Sequence, residues 1–322
     1  MKRASTIIKT SLILIIIFLI YFFTPKIISN NSKKIIDRRV PKYHFALIVN
    51  DDDEEFWSEI IAGAKDAANH NKVVLETIVV SSYNEVLNNI NMVTLAKVDG
   101  ILANVIPTSE FRIEIDKAIA FQIPVITLVT DNNRSHRNSF IGTNNFILGK
   151  KAGELLGDKN KNLNLGVIIH KSDLENNYSK NVILSGLREA LSKHRNSKIV
   201  EVTNSNIKHI SAKQETSRLI ENYPELNAIF CTNPTDGLGA ALAIIDKNKV
   251  GDILLITLDY NQDIIDYIKK GVIQGAIARN SYQIGYRGVE NMIIYKEERR
   301  IDQNILIEPT VINQENVYEF SK

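Results

Sequence analysis

Between Tyr43 and Val80 the chain reads YHFALIVNDDDEEFWSEIIAGAKDAANHNKVVLETIVV. HFALIVN (44–50) is a short unbroken apolar run, the pattern of a strand buried on both faces. FWSEIIAGAKDAANH (56–70) places Ile60, Ile61, Ala64, Ala67 and Ala68 at helical spacing. VVLETIVV (73–80) returns to a strand pattern. Strand, helix and strand in immediate succession make a unit whose strands lie parallel, because the helix carries the chain back to where the next strand must start.

The same alternation runs outward from this stretch. YNEVLNNINMVTLA reads as a helix with Val86, Leu87, Ile90 and Val93 on one side, VDGILANVI as a strand, SEFRIEIDKAIAFQ as a helix with Ser109 as its N-cap, and IPVITLV as a strand. A polar stretch, Thr130 to Ser139, interrupts it. NNFILGKKAGELLGD then reads as a helix and NLGVIIH as a strand. Four further pairs follow, from NVILSGLREALSKH with KIVEVT to NQDIIDYIKKG with VIQGAIA, then the helix SYQIGYRGVENMIIYKEE and an extended tail, NILIEPTVIN. Two such runs, separated near Gly142, predict an α/β protein of two lobes, each a parallel sheet flanked by helices. Ligands of such sheets bind at the carboxyl ends of the strands, so both sets of strand ends face one cleft.

The N-terminus differs in kind. Lys2, Arg3 and Lys9 precede SLILIIIFLIYFF (11–23), and the apolar segment reaches spanning length if Lys9 and Lys26 snorkel near its ends. No small-x-small cleavage site and no lipid-accepting cysteine follow it. Residues 1–28 are therefore expected to be an uncleaved signal-anchor and 29–40 a polar, basic linker, with the body on the outer face of the cytoplasmic membrane. The 322 residues carry 39 Lys+Arg against 37 Asp+Glu, so no basic footprint for nucleic acid is present. The six histidines show no metal-ligand spacing, the glycines no dinucleotide fingerprint, and the lone Cys231 sits in an apolar run without a base beside it. The expectation is a binding protein without catalytic residues, metal or cofactor.

Five blocks in order carry a family resemblance: FWSEIIAGAKDAA, VDGILANVIP, IPVITLVTDNNRSHRNSFIGTNNFILGKKAGELL, AIFCTNPTDGLGAALAI and LLITLDYNQDIIDYIKKGVIQGAIARNSYQIGYRGVENM. From about His44 to its end the chain resembles the type I periplasmic sugar-binding proteins of the ribose, galactose and xylose type, relatives of LacI effector domains. A LacI repressor would carry a helix-turn-helix where this chain carries its apolar segment. The resemblance implies two Rossmann-like lobes joined by a three-crossover hinge: 41–142 with 281–307, and 143–280 with 308–322. It implies a sugar or polyol-like ligand, and either an ABC permease or, for an anchored member, a sensor histidine kinase as the partner that reads closure.

The resemblance also points to ligand residues. Phe56 and Trp57 match its aromatic pair, whose rings pack on the C–H face of a sugar; the alternative is that they anchor the helix to its sheet. Glu54 stands where relatives place a polar ligand residue, although acids at a helix start also serve the helix dipole. Asn233 and Asp259 match the second lobe's ligand residues, against turn and N-cap duty. Arg279 stands at a ligand position, against a structural ion pair. Asp131 matches a position that more often faces the hinge. Two departures stand out: Val129 where an acid usually ends the strand, and Ile183 where an arginine is common. Asp131, Asn132, Arg134 or Asn177 would have to compensate, or the ligand is less hydroxylated.

Overall fold

In the computed structural model, the described residues are 41–50, 54–160, 162–169, 177–194, 196–206 and 209–320. Five strands build most of the first sheet: β1 (His44–Asn50), β2 (Val74–Val80), β3 (Gly100–Ala103), β4 (Val125–Leu128) and β5 (Ser139–Gly142). Between them run α1 (Glu54–Asn71), α2 (Tyr83–Leu95) and α3 (Ser109–Ala120). The second sheet takes β6 (Asn164–Ile169), β7 (Lys198–Asn204), β8 (Ala228–Cys231), β9 (Leu254–Leu258) and β10 (Gly275–Ala278). Its helices are α4 (Asn145–Lys159), α5 (Asn177–Ser192), α6 (His209–Asn222), α7 (Pro234–Asp246) and α8 (Gln262–Lys269). Helix α9 (Ser281–Glu298), β11 (Asn304–Leu306), β12 (Thr310–Asn313) and a final 3-10 turn, Val317–Phe320, complete the chain.

The two sheets repeat one order. The first runs β2-β1-β3-β4-β5-β11 and the second β7-β6-β8-β9-β10-β12. Their ladders are parallel except at β12, which pairs antiparallel to β10. Burial follows position. The central strands β3, β4, β8 and β10 are buried at every residue, as strands covered by helices on both faces must be, whereas the edge strand β2 mixes exposed and half-buried residues.

The chain passes between the sheets three times: from β5 into α4, from β10 into α9, and from β11 to β12 across Glu308–Pro309. Helix α9 returns to pack on α1, and α4 packs on α5, each through a pair of glycines. A Cβ at Gly285 would lie 1.9 Å from the Ile60 carbonyl oxygen, and one at Gly149 1.9 Å from that of Ile183. Backbone meets backbone at both contacts, and only glycine admits that approach.

Three details differ from the periodicity reading. Strand β5 lies at the end of the polar stretch, where only Phe140 and Ile141 give an apolar signal. The extended tail is two strands in two different sheets. Thr108, without a side-chain cap bond, holds the N-cap position expected of Ser109. The expected anchor (1–28) and linker (29–40) lie outside the described residues. Among the described residues no helix is long and apolar enough to cross a membrane.

Candidate functional site

The candidate residues follow the carboxyl ends of β1, β4, β8, β9 and β10. Asp51–Asp53 and the side chain of Glu54 lie outside the described residues. Just beyond them Phe56 and Trp57 open α1. Their rings meet edge to face, with centroids 5.2 Å apart. Both are buried, at 7% and 3% exposure, and pack with Val49 and Ile284 in the core under the first sheet. They thus anchor the helix. Phe56 also turns its face outward: the Arg279 guanidinium lies 4.2 Å from its ring centroid, a cation–π contact between elements of the two sheets.

Arg279 follows β10 directly and is held by Asp259, which follows β9. The Asp259 carboxylate accepts from the Arg279 backbone N–H at 2.8 Å and from Nε at 2.8 Å, and Nη2 donates as well. Asp259 is 4% exposed and takes a left-handed backbone, φ +54°. An aspartate tolerates that conformation better than most residues. Its N–H donates to the Ile277 carbonyl, and its own carbonyl accepts from the Thr257 hydroxyl. The pair is thus fixed by backbone and side chain together. Next to it, burial pushes the Tyr260 hydroxyl up to about 12, helped by the charges of Glu59, Glu55 and Asp259.

Asn233 is the N-cap of α7: its Oδ1 accepts from the Asp236 N–H at 2.8 Å. The cap uses the oxygen and leaves the amide nitrogen, with two donors, outside it. Asp131 points to the hinge. Its carboxylate accepts from Arg137 Nε at 2.5 Å and Nη2 at 2.6 Å, and from the Thr127 hydroxyl at 2.8 Å. Arg137 reaches on to the Gln303 carbonyl and Asn304 Oδ1, just before and at the start of β11. Asn132 is a loop staple, donating to the Ile106 and Thr108 carbonyls. Ile183 is buried in the core of the second sheet. The Asn177 side chain lies outside the described residues.

Several polar groups escaped the sequence reading. Asn50 and Thr143, each 5% exposed, end or follow β1 and β5, and among the described residues neither Asn50 Oδ1 nor Thr143 Oγ1 has a hydrogen-bond partner. Asn104 follows β3, and its Oδ1 accepts from the Thr130 hydroxyl. A polar residue after a strand reads first as a turn former, which hid them. A cavity of about 800 Å³ lies against the first sheet's strand ends, lined by Val129, Thr143 and the exposed Arg134, by Gln303 and Asn304 of the return strand, and by Val182 of α5. Cys231 is fully buried, and desolvation pushes its thiol up. Among the described residues no group of His, Cys, Asp and Glu is placed to hold a metal ion.

Comparison with known proteins places this geometry. The ribose import binding protein RbsB of Bacillus subtilis (strain 168) is 27% identical over 198 residues, 60% of this chain and 61% of that protein. In the curated relatives matched first, the chain spans 50% and 61% of their length. Among solved structures, GanP, a glucose-galactose binding protein from Geobacillus stearothermophilus, superposes with a TM-score of 0.77 at 26% identity, covering 85% of this chain and 98% of that one. A XylFII-LytSN complex gives 0.74 at 29% identity, with 85% and 98% covered. The family model of the periplasmic binding protein domain matches residues 45–298, so the chain, with its two repeated sheets and three crossings, belongs to that family and has its type I fold.

Proposed function

We propose that the chain is an extracytoplasmic solute-binding protein that holds a small polar molecule, a monosaccharide, between its two sheets and transforms nothing. The observation that carries this reading is the cluster at the strand ends: Asp259 fixes Arg279, and Arg279 lies on the face of Phe56 from the other sheet. A carboxylate and a guanidinium make strong charge-assisted hydrogen bonds to hydroxyls. Phe56 and Trp57 supply the apolar surface, Asn233 a pair of amide donors, and Glu54 a further acid at the entrance. Asp131 contributes through the hinge, since Arg137 and Thr127 hold its oxygens. Ligand in this place touches both halves, so it binds the closed arrangement better than the open one and shifts the population toward it.

A membrane partner then reads closure, with residues 1–28 as the anchor that keeps the body at the outer face. We assign that partner to the sensor histidine kinase class. Support comes from the uncleaved anchor expected from the sequence and from a relative of the same fold found in a complex with a second protein. The second reading, the binding component of an ABC sugar importer, is favoured by a relative named for ribose import.

The test is thermal unfolding against pentoses, hexoses and polyols. A ligand that binds only the folded state stabilises it by about 2.7 kcal/mol at a hundred times its dissociation constant. A rise in midpoint with one sugar, lost in Asp259→Ala, supports the binding reading; no rise with any of them refutes it. Deleting the chain distinguishes the partners: loss of solute uptake alone would sink the sensing role.

A further inference from the structure

The two sheets repeat one construction after their fourth strands in chain order. The residue following β4 is Val129 and that following β9 is Asp259, with φ of +67° and +54°. Each donates its N–H, at 3.0 Å, to the third residue of the next strand, Ile141 in β5 and Ile277 in β10. The residue just past that strand is Thr143 in the first sheet and Arg279 in the second. In the second sheet the pair is satisfied internally, because Asp259 accepts from the Arg279 amide and guanidinium. In the first sheet the equivalent pair is an isopropyl group and a hydroxyl. The Val129 side chain accepts nothing, and Thr143 Oγ1 is buried without a partner among the described residues. Both residues line the 800 Å³ cavity.

A left-handed backbone is unfavourable for any residue with a Cβ, and most so for a branched one, whereas Asn, Asp and Gly accept it. Backbone preference alone would therefore not put valine at this turn. A strained residue at a cavity wall, beside a buried hydroxyl with nothing to bond, is an outlier that calls for a functional account. We propose that Val129 determines ligand specificity: in a cavity otherwise lined by polar groups such as Asp131, Arg134 and Asn144, it supplies an apolar wall close to the Thr143 hydroxyl, and so selects a deoxy or C-methyl sugar. The hydroxylated edge of that sugar goes to the polar groups, and the edge lacking a hydroxyl packs on Val129. A fully hydroxylated sugar would bury one hydroxyl against the isopropyl group unpaired, which costs more than a lost hydrogen bond. The inference rests on the reading of this cleft as a sugar site.

Titration calorimetry of the full chain with matched sugars tests it: L-fucose against L-galactose, L-rhamnose against L-mannose, and 2-deoxy-D-ribose against D-ribose. In the wild type the deoxy member of at least one pair binds about tenfold tighter. Val129→Asp and Val129→Asn, both compatible with the left-handed turn, remove or reverse that preference. Thr143→Val weakens the favoured sugar without reversing the order. If the hydroxylated members bind as tightly as the deoxy ones and Val129→Asp leaves every ratio unchanged, the inference is overturned while the sugar site stands. If no sugar binds a chain that circular dichroism shows to be folded, the sugar reading falls, and the inference with it.

Discussion

The Asp259 carboxylate accepts from the Arg279 amide and guanidinium at once, and the guanidinium in turn covers Phe56. Removing the charge therefore disturbs three groups. Asp259→Asn keeps the shape and the tolerance for φ +54° but offers one acceptor where two were used. Ligand affinity by calorimetry is expected to fall about ten- to a hundredfold, in line with roughly 1.5–3 kcal/mol for a hydrogen bond to a charged group. Tyr260 packs edge to face on Phe320, with centroids 5.7 Å apart, and its hydroxyl is pushed up to about 12 by burial. A tyrosine whose folded pKa is raised contributes stability that is fully present below about pH 10 and is lost as pH rises through 12. Urea midpoints measured from pH 9 to 12 should fall in that window, and the fall should be reduced in Tyr260→Phe. Cys231 gives a simpler expectation: fully buried, with its thiol raised by desolvation, it reacts with a thiol reagent only as fast as the protein opens. Labelling at the rate of a free thiol in native buffer would contradict that. At this scale the placement of the aromatic pair, Asn233, Asp259 and Arg279 at the ends of strands was legible, because each follows an apolar run or opens a helix after one. That Asp259 and Arg279, twenty residues apart, bond to each other was not, because their strands are adjacent only through a long-range ladder.

The two helix pairs, α1 with α9 and α4 with α5, touch through glycines placed alike. Gly63 faces the Tyr282 carbonyl as Gly285 faces that of Ile60, and Gly149 and Gly186 do the same across the other contact. Gly285→Ala would set a Cβ 1.9 Å from a backbone oxygen, and a backbone cannot swing aside as a flexible side chain can. The helices must separate, at an expected cost of about 1–3 kcal/mol. Urea unfolding measures this; a midpoint unchanged from wild type would show that the contact is looser than described. The element order itself was readable, since long amphipathic helices and buried strands carry strong periodic signals. β5 was not, because Ser139 and Gly142 flank only two apolar residues and the strand is specified by pairing to β4 and β11 on either side. Periodicity reads the tail as one extended piece for a related reason, and only the family resemblance divides it, at 307/308. Pattern reports that Asn304–Leu306 and Thr310–Asn313 are extended, but their division between two sheets is a non-local choice made across Glu308 and Pro309.

The proposed closure needs crossings that bend and anchors that do not. Arg137 is such an anchor: its side chain is 7% exposed, and it joins Asp131 in the loop after β4 to Gln303 and Asn304 on the strand that returns from the second sheet. It thus fixes where one crossing leaves the first sheet while leaving the bend past Leu306 untouched. In Arg137→Ala the Asp131 carboxylate keeps the Thr127 hydroxyl but loses its countercharge in a half-buried place, and truncating one side of such a pair typically costs about 3 kcal/mol or more. Stability alone would not distinguish a hinge anchor from an ordinary ion pair. The discriminating quantity is the population of the closed form, which sets apparent affinity through the fraction of molecules competent to bind. If the return strand is freed, the ligand-free radius of gyration by X-ray scattering rises, and affinity falls although no residue proposed to contact ligand has changed. Saturating ligand should still compact the variant to the wild-type value, because the differential contacts that favour closure remain. A variant that loses stability yet keeps its radius and affinity would place the control of closure in the other two crossings, after β5 and after β10.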